Sequence, residues 1–164
     1  MYQKILVPLD GSALAETVIP HVRMLAESHA TEILLLQIIV DPIYDLILSG
    51  PKLATATHDR ASNQRVQSQN YLDHVATCLR EHGITVTTIV CEGVVAETIL
   101  AYGEKFQADL IVLATHGVNT PSGWQLGNVT YRIVHDAQVP VLLIRTEQPV
   151  FKHTEPALAI TQAN

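Results

Sequence analysis

Basic residues are scarce in this chain. Ten Lys and Arg stand against sixteen Asp and Glu, a formal net charge of -6 over 164 residues. Phosphate neutralisation by a nucleic-acid binder needs a basic patch, and no cluster of Lys and Arg supplies one. Charged residues amount to only 16% and hydrophobic residues to 48%, which excludes a disordered chain and describes a compact one. No apolar run approaches the roughly 20 residues of a membrane-spanning helix. The opening "MYQKILVPLD" lacks a basic stretch followed by a long apolar one, so it does not read as a signal peptide. The expectation is a cytoplasmic protein with neither a membrane nor a nucleic-acid partner. Two cysteines, Cys78 and Cys91, are too few for a disulfide framework and read as buried or half-buried free thiols.

Several catalytic and metal signatures are also missing. No Gly-Lys-Ser/Thr of a Walker A loop and no G-x-S-x-G elbow occurs. The eight histidines show no metal-ligand spacing, so a metal site is left unassigned. His116 has no recognisable Ser, Cys or carboxylate partner, and no catalytic residue is assigned. What remains is a length suited to one domain with a real core.

Five short apolar runs are present: Ile5–Leu9, Ile33–Val40, Ile84–Val90, Leu110–Leu113 and Val139–Ile144. Four are nearly continuous Ile, Leu and Val, the pattern of strands covered on both faces. The third, "ITVTTIV", alternates and belongs at a sheet edge. Helical patterns fill the gaps. Leu14, Val18, Val22 and Leu25 line residues 12–28, with Ser12 as N-cap and Pro20 as a kink or a local irregularity. Leu72, Val75 and Leu79 line 61–82, which Gly83 ends. Val95, Ile99 and Tyr102 line 94–106, and Val129, Ile133 and Val134 line 127–136. Strand and helix alternate throughout, which predicts an α/β fold: one three-layer α/β/α domain on a five-stranded parallel sheet. Residues 41–60 form a long apolar connection, read as a short packed helix or as a lid or partner surface. Residues 147–164 read as a poorly ordered tail.

Ligands of an open parallel sheet bind beyond the carboxyl ends of its strands, where strand order reverses. "VPLDGS" puts Asp10 and Gly11 at the first strand's tip, and "ATHG" puts His116 and Gly117 at the fourth's. A strand order of 3-2-1-4-5 brings both tips to one crevice and also puts the alternating third strand at an edge. Gly117 allows close backbone approach. Gly127 and Asn128 open a helix whose N–H groups and dipole suit a phosphate. The same glycines equally suit plain turns, so spacing alone leaves both readings standing. The carboxylate of Asp10 suits ribose hydroxyls or a metal.

The chain resembles the universal stress protein family over residues 2 to about 146. "KILVPLDGS" is similar to that family's opening strand, "AETILAYGEKFQADLIVLATHG" to its third helix and fourth strand, and "LGNVTYRIVHDAQVPVLLIR" to its closing helix and strand. The ATP-binding branch carries Gly, two residues, Gly, nine residues, Gly, then Ser or Thr. Here that frame reads Ala114, two residues, Gly117, nine residues, Gly127, Asn128. The spacing is intact; Ala114 and Asn128 depart from it, and nothing from 114 to 131 is Lys or Arg.

The resemblance implies a universal stress protein fold, of the adenine-nucleotide α-hydrolase-like kind, over residues 1–146, with the tail at 147–164. It implies a dimeric stress-response module that binds an adenine nucleotide, ATP foremost and AMP or ADP otherwise, with Mg²⁺. Pro8, Asp10, Ile38, Ala114, His116, Gly117, Gly127, Asn128, Val129 and Thr130 would form the site. Homodimers would pair the last strand, Val139–Ile144, and an unknown regulatory protein would read occupancy. A nucleotide-free dimeric scaffold is the alternative that the departures favour. A slow ATPase is the second, with a binding module preferred to an enzyme.

Overall fold

A computed structural model of the chain describes residues 2–26, 30–40, 57–115 and 126–145, with side chains of 57–62 left aside. Five strands, β1 (Lys4–Pro8), β2 (Glu32–Ile39), β3 (Thr85–Glu92), β4 (Leu110–Ala114) and β5 (Val141–Ile144), form one sheet in the order β3-β2-β1-β4-β5. All neighbours are parallel. The helices are α1 (Ala13–Glu16), α2 (Ile19–Ala26), α3 (Thr57–Arg80), α4 (Val95–Phe106) and α5 (Asn128–Asp136).

Strand alternation sends side chains to two separate cores. Ile5, Val7, Ile33, Leu35, Leu110 and Val112 meet Val18 and Val22 of the first helical segment and Leu72, Val75 and Leu79 of α3. Leu6, Leu34, Leu36, Ile111 and Leu113 meet Ala96 and Ile99 of α4 and Ile133 of α5. Each large side chain withdrawn from water contributes about 1.5–3 kcal/mol. Both faces of β1 and β4 therefore need a helical cover, and three layers result, as the continuous apolar runs imply.

The edge position of β3 follows from its sequence: Thr85 and Thr87 are exposed while Val86 and Val90 are buried. Its Val86 carbonyl accepts from Arg80 Nη2 at 2.7 Å, so a cation caps part of that edge.

Four expectations about the helices and strands need correction. The helical pattern of 12–28 is two helices, because Pro20 has no N–H to donate to the Glu16 carbonyl. The chain instead makes tight bonds from Thr17 N to Leu14 O and from Val18 N to Ala15 O, both 3.3 Å, and α2 resumes at Ile19. The helix read as 61–82 starts at Thr57 and takes in the end of the 41–60 connection, whose other residues lie outside the described ones. The last strand starts at Val141, after Pro140, whose carbonyl accepts from Ile111 N at 3.0 Å. On α5, Thr130 and Ile133 face inward, whereas Val129 and Val134 are 38% and 45% exposed. Apolar identity misled there, since the buried threonine carries the helical period that Val129 seemed to carry.

Both cysteines are free thiols; Cys78 is exposed, against expectation, and Cys91 is half-buried. Burial pushes the Cys91 thiol up, which disfavours its reactive thiolate. At neutral pH a thiol reagent should label Cys78 first and Cys91 only slowly until the protein is denatured; equal rates on the native protein would contradict this placement. Gly93 links β3 to α4 with φ +154, and a Cβ there would meet Thr98 Oγ1 at 2.5 Å. Gly93→Ala is expected to cost about 1–3 kcal/mol in urea unfolding. A loss under about 0.5 kcal/mol, the range of an ordinary surface change, would count against the tight turn.

Candidate functional site

The strand order reverses between β1 and β4, since the chain builds outward from β1 through β2 to β3 and then returns to its other side. The ladder joining these two strands pairs only Ile5 with Leu110 and Leu6 with Ile111. By contrast, β1 pairs with β2 over all five of its residues, and β4 with β5 over four. Val7 and Pro8 thus run on unpaired to Val112–Ala114, at the place where open α/β sheets bind ligands.

On the β1 side, Leu9 N donates to Leu36 O at 2.9 Å and keeps the chain beside β2. Gly11 then turns the backbone at φ +82, where an added Cβ would find ordinary space, 3.5 Å from Gln37 Nε2. Glycine is needed there for its conformation rather than its size. Asp10 is exposed at this tip, and its Oδ1 accepts from Ser12 N at 2.9 Å and from Ser12 Oγ at 2.6 Å. Ser12 Oγ in turn accepts from Ala15 N at 3.1 Å, capping α1. The carboxylate is held at the rim by a local turn, oriented before any ligand arrives.

On the β4 side, two contacts clamp the start of α5 to the strand's end. Gly127 N donates to Thr115 O at 3.4 Å, and the buried Thr130 hydroxyl donates to Ala114 O at 3.4 Å. Thr115 N also donates to Ile144 O at 3.0 Å, fixing β5 alongside. Gly127 is the N-cap and makes no side-chain capping bond, so Asn128 is the first helical residue and not a cap. The helix offers no internal partner to the N–H groups of Asn128, Val129 and Thr130. The positive dipole end therefore faces the strand tips without a side-chain cap to occupy it. His116 and Gly117 lie outside the described residues.

Pro8 and Ile38 are half-buried at the ends of β1 and β2. Ile38 packs against the core beneath α4 and α5, and alternation puts Pro8 on the same face as Leu6. The described part of the site thus has an apolar wall at Ile38 and Pro8, a carboxylate at Asp10, and an uncapped helix start at 127–130. Such a set suits a ligand with a flat apolar part, hydroxyls and an anionic end. Among the described residues, no group of three His, Cys, Asp or Glu is placed to hold a metal. A Mg²⁺ ion therefore fits here only as one carried largely by phosphate oxygens, with a single carboxylate such as Asp10 in support.

Sequence reasoning did not single out two polar residues on the opposite face of the β1 tip. Gln37 Oε1 is buried with no hydrogen-bond partner, and the Tyr71 hydroxyl neighbours Glu16 without hydrogen-bond geometry. Burial first, and the Glu16 carboxylate second, push the Tyr71 phenol up, so it stays protonated. Neither residue falls in a motif; Gln37 follows the last residue of β2 paired with β1, and Tyr71 packs from α3 against the core on that face.

Comparison with known proteins agrees with this geometry. The family model described as the universal stress protein family matches residues 1–145. The universal stress protein MJ0577 of Methanocaldococcus jannaschii is 26% identical over 155 residues, covering 88% of this chain and 96% of that one. A solved MJ0577 structure superposes with a TM-score of 0.79 at 25% identity, over 91% of this chain and 99% of that one. An Arabidopsis thaliana family member with AMP bound has a TM-score of 0.62 at 16% identity, over 88% and 92% of the two chains. An Archaeoglobus fulgidus universal stress protein in complex with dAMP scores 0.61 at 14% identity, over 87% and 97%. The last two likenesses speak to the fold alone. With its sheet order reversing between β1 and β4 and a family match over residues 1–145, this protein belongs to the universal stress protein family.

Proposed function

We propose that the protein binds an adenine nucleotide in the crevice between the β1 and β4 tips, ATP with Mg²⁺ foremost and AMP or ADP otherwise. The observation that carries this reading is the half-length β1–β4 ladder, with the uncapped start of α5 held at its open end. Relatives of the same fold carrying AMP and dAMP support the adenine class of ligand. Ile38 and Pro8 take the base, Asp10 accepts from ribose hydroxyls, and the amides at 128–130 meet phosphate. Ala114, 8% exposed, packs its methyl into the core beneath the sheet, which supports tolerance of a nucleotide where the family motif has glycine. His116 and Gly117 belong to the same proposed site. Occupancy would then alter contacts with a regulatory partner in the cytoplasm, as a binding module rather than an enzyme.

Assembly is a second part of the reading. All four residues of β5 are half-buried at an open sheet edge, which a second copy would cover by pairing strands. Sedimentation should give about 36 kDa, twice the chain's 18.0 kDa. A single species at the monomer mass at micromolar concentration would remove the dimer from the account.

Ligand binding to the native state raises its stability by about 2.7 kcal/mol at a hundredfold excess over Kd. For a chain of this size that is a rise in Tm of roughly 5–10 °C with Mg²⁺-ATP. Gly117→Val should abolish the rise. No shift at millimolar nucleotide would favour the nucleotide-free scaffold instead.

A further inference from the structure

We propose that Arg145 is the cationic partner of the nucleotide's phosphates, supplied by the end of β5 in place of a basic residue in the 114–131 segment. This rests on the nucleotide reading above. Five residues directly follow the five strands at the carboxyl end of the sheet: Leu9, Val40, Gly93, Thr115 and Arg145. Arg145 is the one cation among them, in a chain of net charge -6 whose β1 tip already carries Asp10.

Register brings Arg145 beside the β4 tip, on the side away from β1. Ala114 pairs with Ile144, and Thr115 N donates to Ile144 O at 3.0 Å, so Arg145 comes level with Thr115. Thr115 O is the acceptor for Gly127 N, so three consecutive links join Arg145 to the start of α5. The face also agrees. Leu142 and Ile144 pack into the core beneath α1–α3, while Val141 and Leu143 pack into the core beneath α4 and α5. The next step of that alternation puts position 145 on the α5 side, exposed to solvent.

Three other cations in the described residues stand against other groups, away from the β4 tip. Arg132 of α5 holds Glu97 at 2.8 Å and Asp136 at 3.7 Å. Arg65 stands 4.0 Å from Glu92 at the β3 tip, at the opposite edge of the sheet from β5 and the start of α5. Lys4 donates to Phe106 O at the opposite end of the sheet. A guanidinium suits the role because its fork of donors can take two phosphate oxygens at once. Arg145 already holds a partner, so taking a phosphate is an exchange, and the expected effect is moderate.

The test is calorimetric titration of the full-length protein with Mg²⁺-ATP, AMP and adenosine. Arg145→Gln should weaken Mg²⁺-ATP by about tenfold and AMP by less, and should leave adenosine within about twofold. Arg145→Lys should fall between wild type and Arg145→Gln, and the salt dependence of ATP binding should flatten in the glutamine variant. Matching melting curves without nucleotide separate a lost phosphate contact from a damaged β5. Unchanged ATP affinity in Arg145→Gln, equal losses for ATP and adenosine, or a lysine variant no better than glutamine would each overturn the assignment. Wild-type protein that binds none of the three would overturn both the assignment and the nucleotide reading beneath it.

Discussion

Everything in this molecule depends on β1 being buried on both faces. Ile5 and Val7 point into one core and Leu6 into the other, and all three are fully withdrawn from water. A strand with no polar face must sit in the middle of a sheet with helices above and below it. The chain satisfies this by laying β2 and β3 on one side of β1 and returning to lay β4 and β5 on the other. Right-handed crossovers then assign the helices to their layers. The reversal of direction at β1 is thus a packing consequence, and the crevice at its carboxyl end comes with it.

That crevice gains its chemical character from how the neighbouring segments end. Asp10 is oriented by Ser12, which is itself spent on capping α1. The start of α5 is moored by backbone and hydroxyl contacts to Ala114 and Thr115, and its N-cap is a glycine with no side chain to fill the dipole end. The rigid parts of the site are therefore the strand tips and the helix start, while local turns aim its polar groups. The proposed role of Arg145 lies one strand further out, because the register of β5 on β4 sets residue 145 level with Thr115.

Much of the architecture was legible because apolar periodicity is a direct imprint of burial. The nearly continuous runs at Ile33–Val40 and Leu110–Leu113 read as doubly covered strands, and the threonines of β3 announced an edge. What the pattern could not convey was polar burial. Thr130 faces the core because its hydroxyl finds the Ala114 carbonyl, and Val129 is left partly exposed. The split between α1 and α2 was foreshadowed by Pro20, yet a kink and a break differ only in hydrogen bonds that periodicity does not record. Arg145 escaped notice for a different reason. A search for charge near a loop looks along the chain, whereas β5 delivers it across the sheet.

The proposed adenine nucleotide would occupy the space between the β1 and β4 tips. Amide NMR of the labelled protein titrated with Mg²⁺-ATP tests it most directly. The account predicts shifts concentrated at Asp10, Gly11 and residues 127–130, with Lys4, Asp109 and Val139 at the far end of the sheet unmoved. Shifts centred on that far end, or none anywhere at millimolar nucleotide, would contradict it.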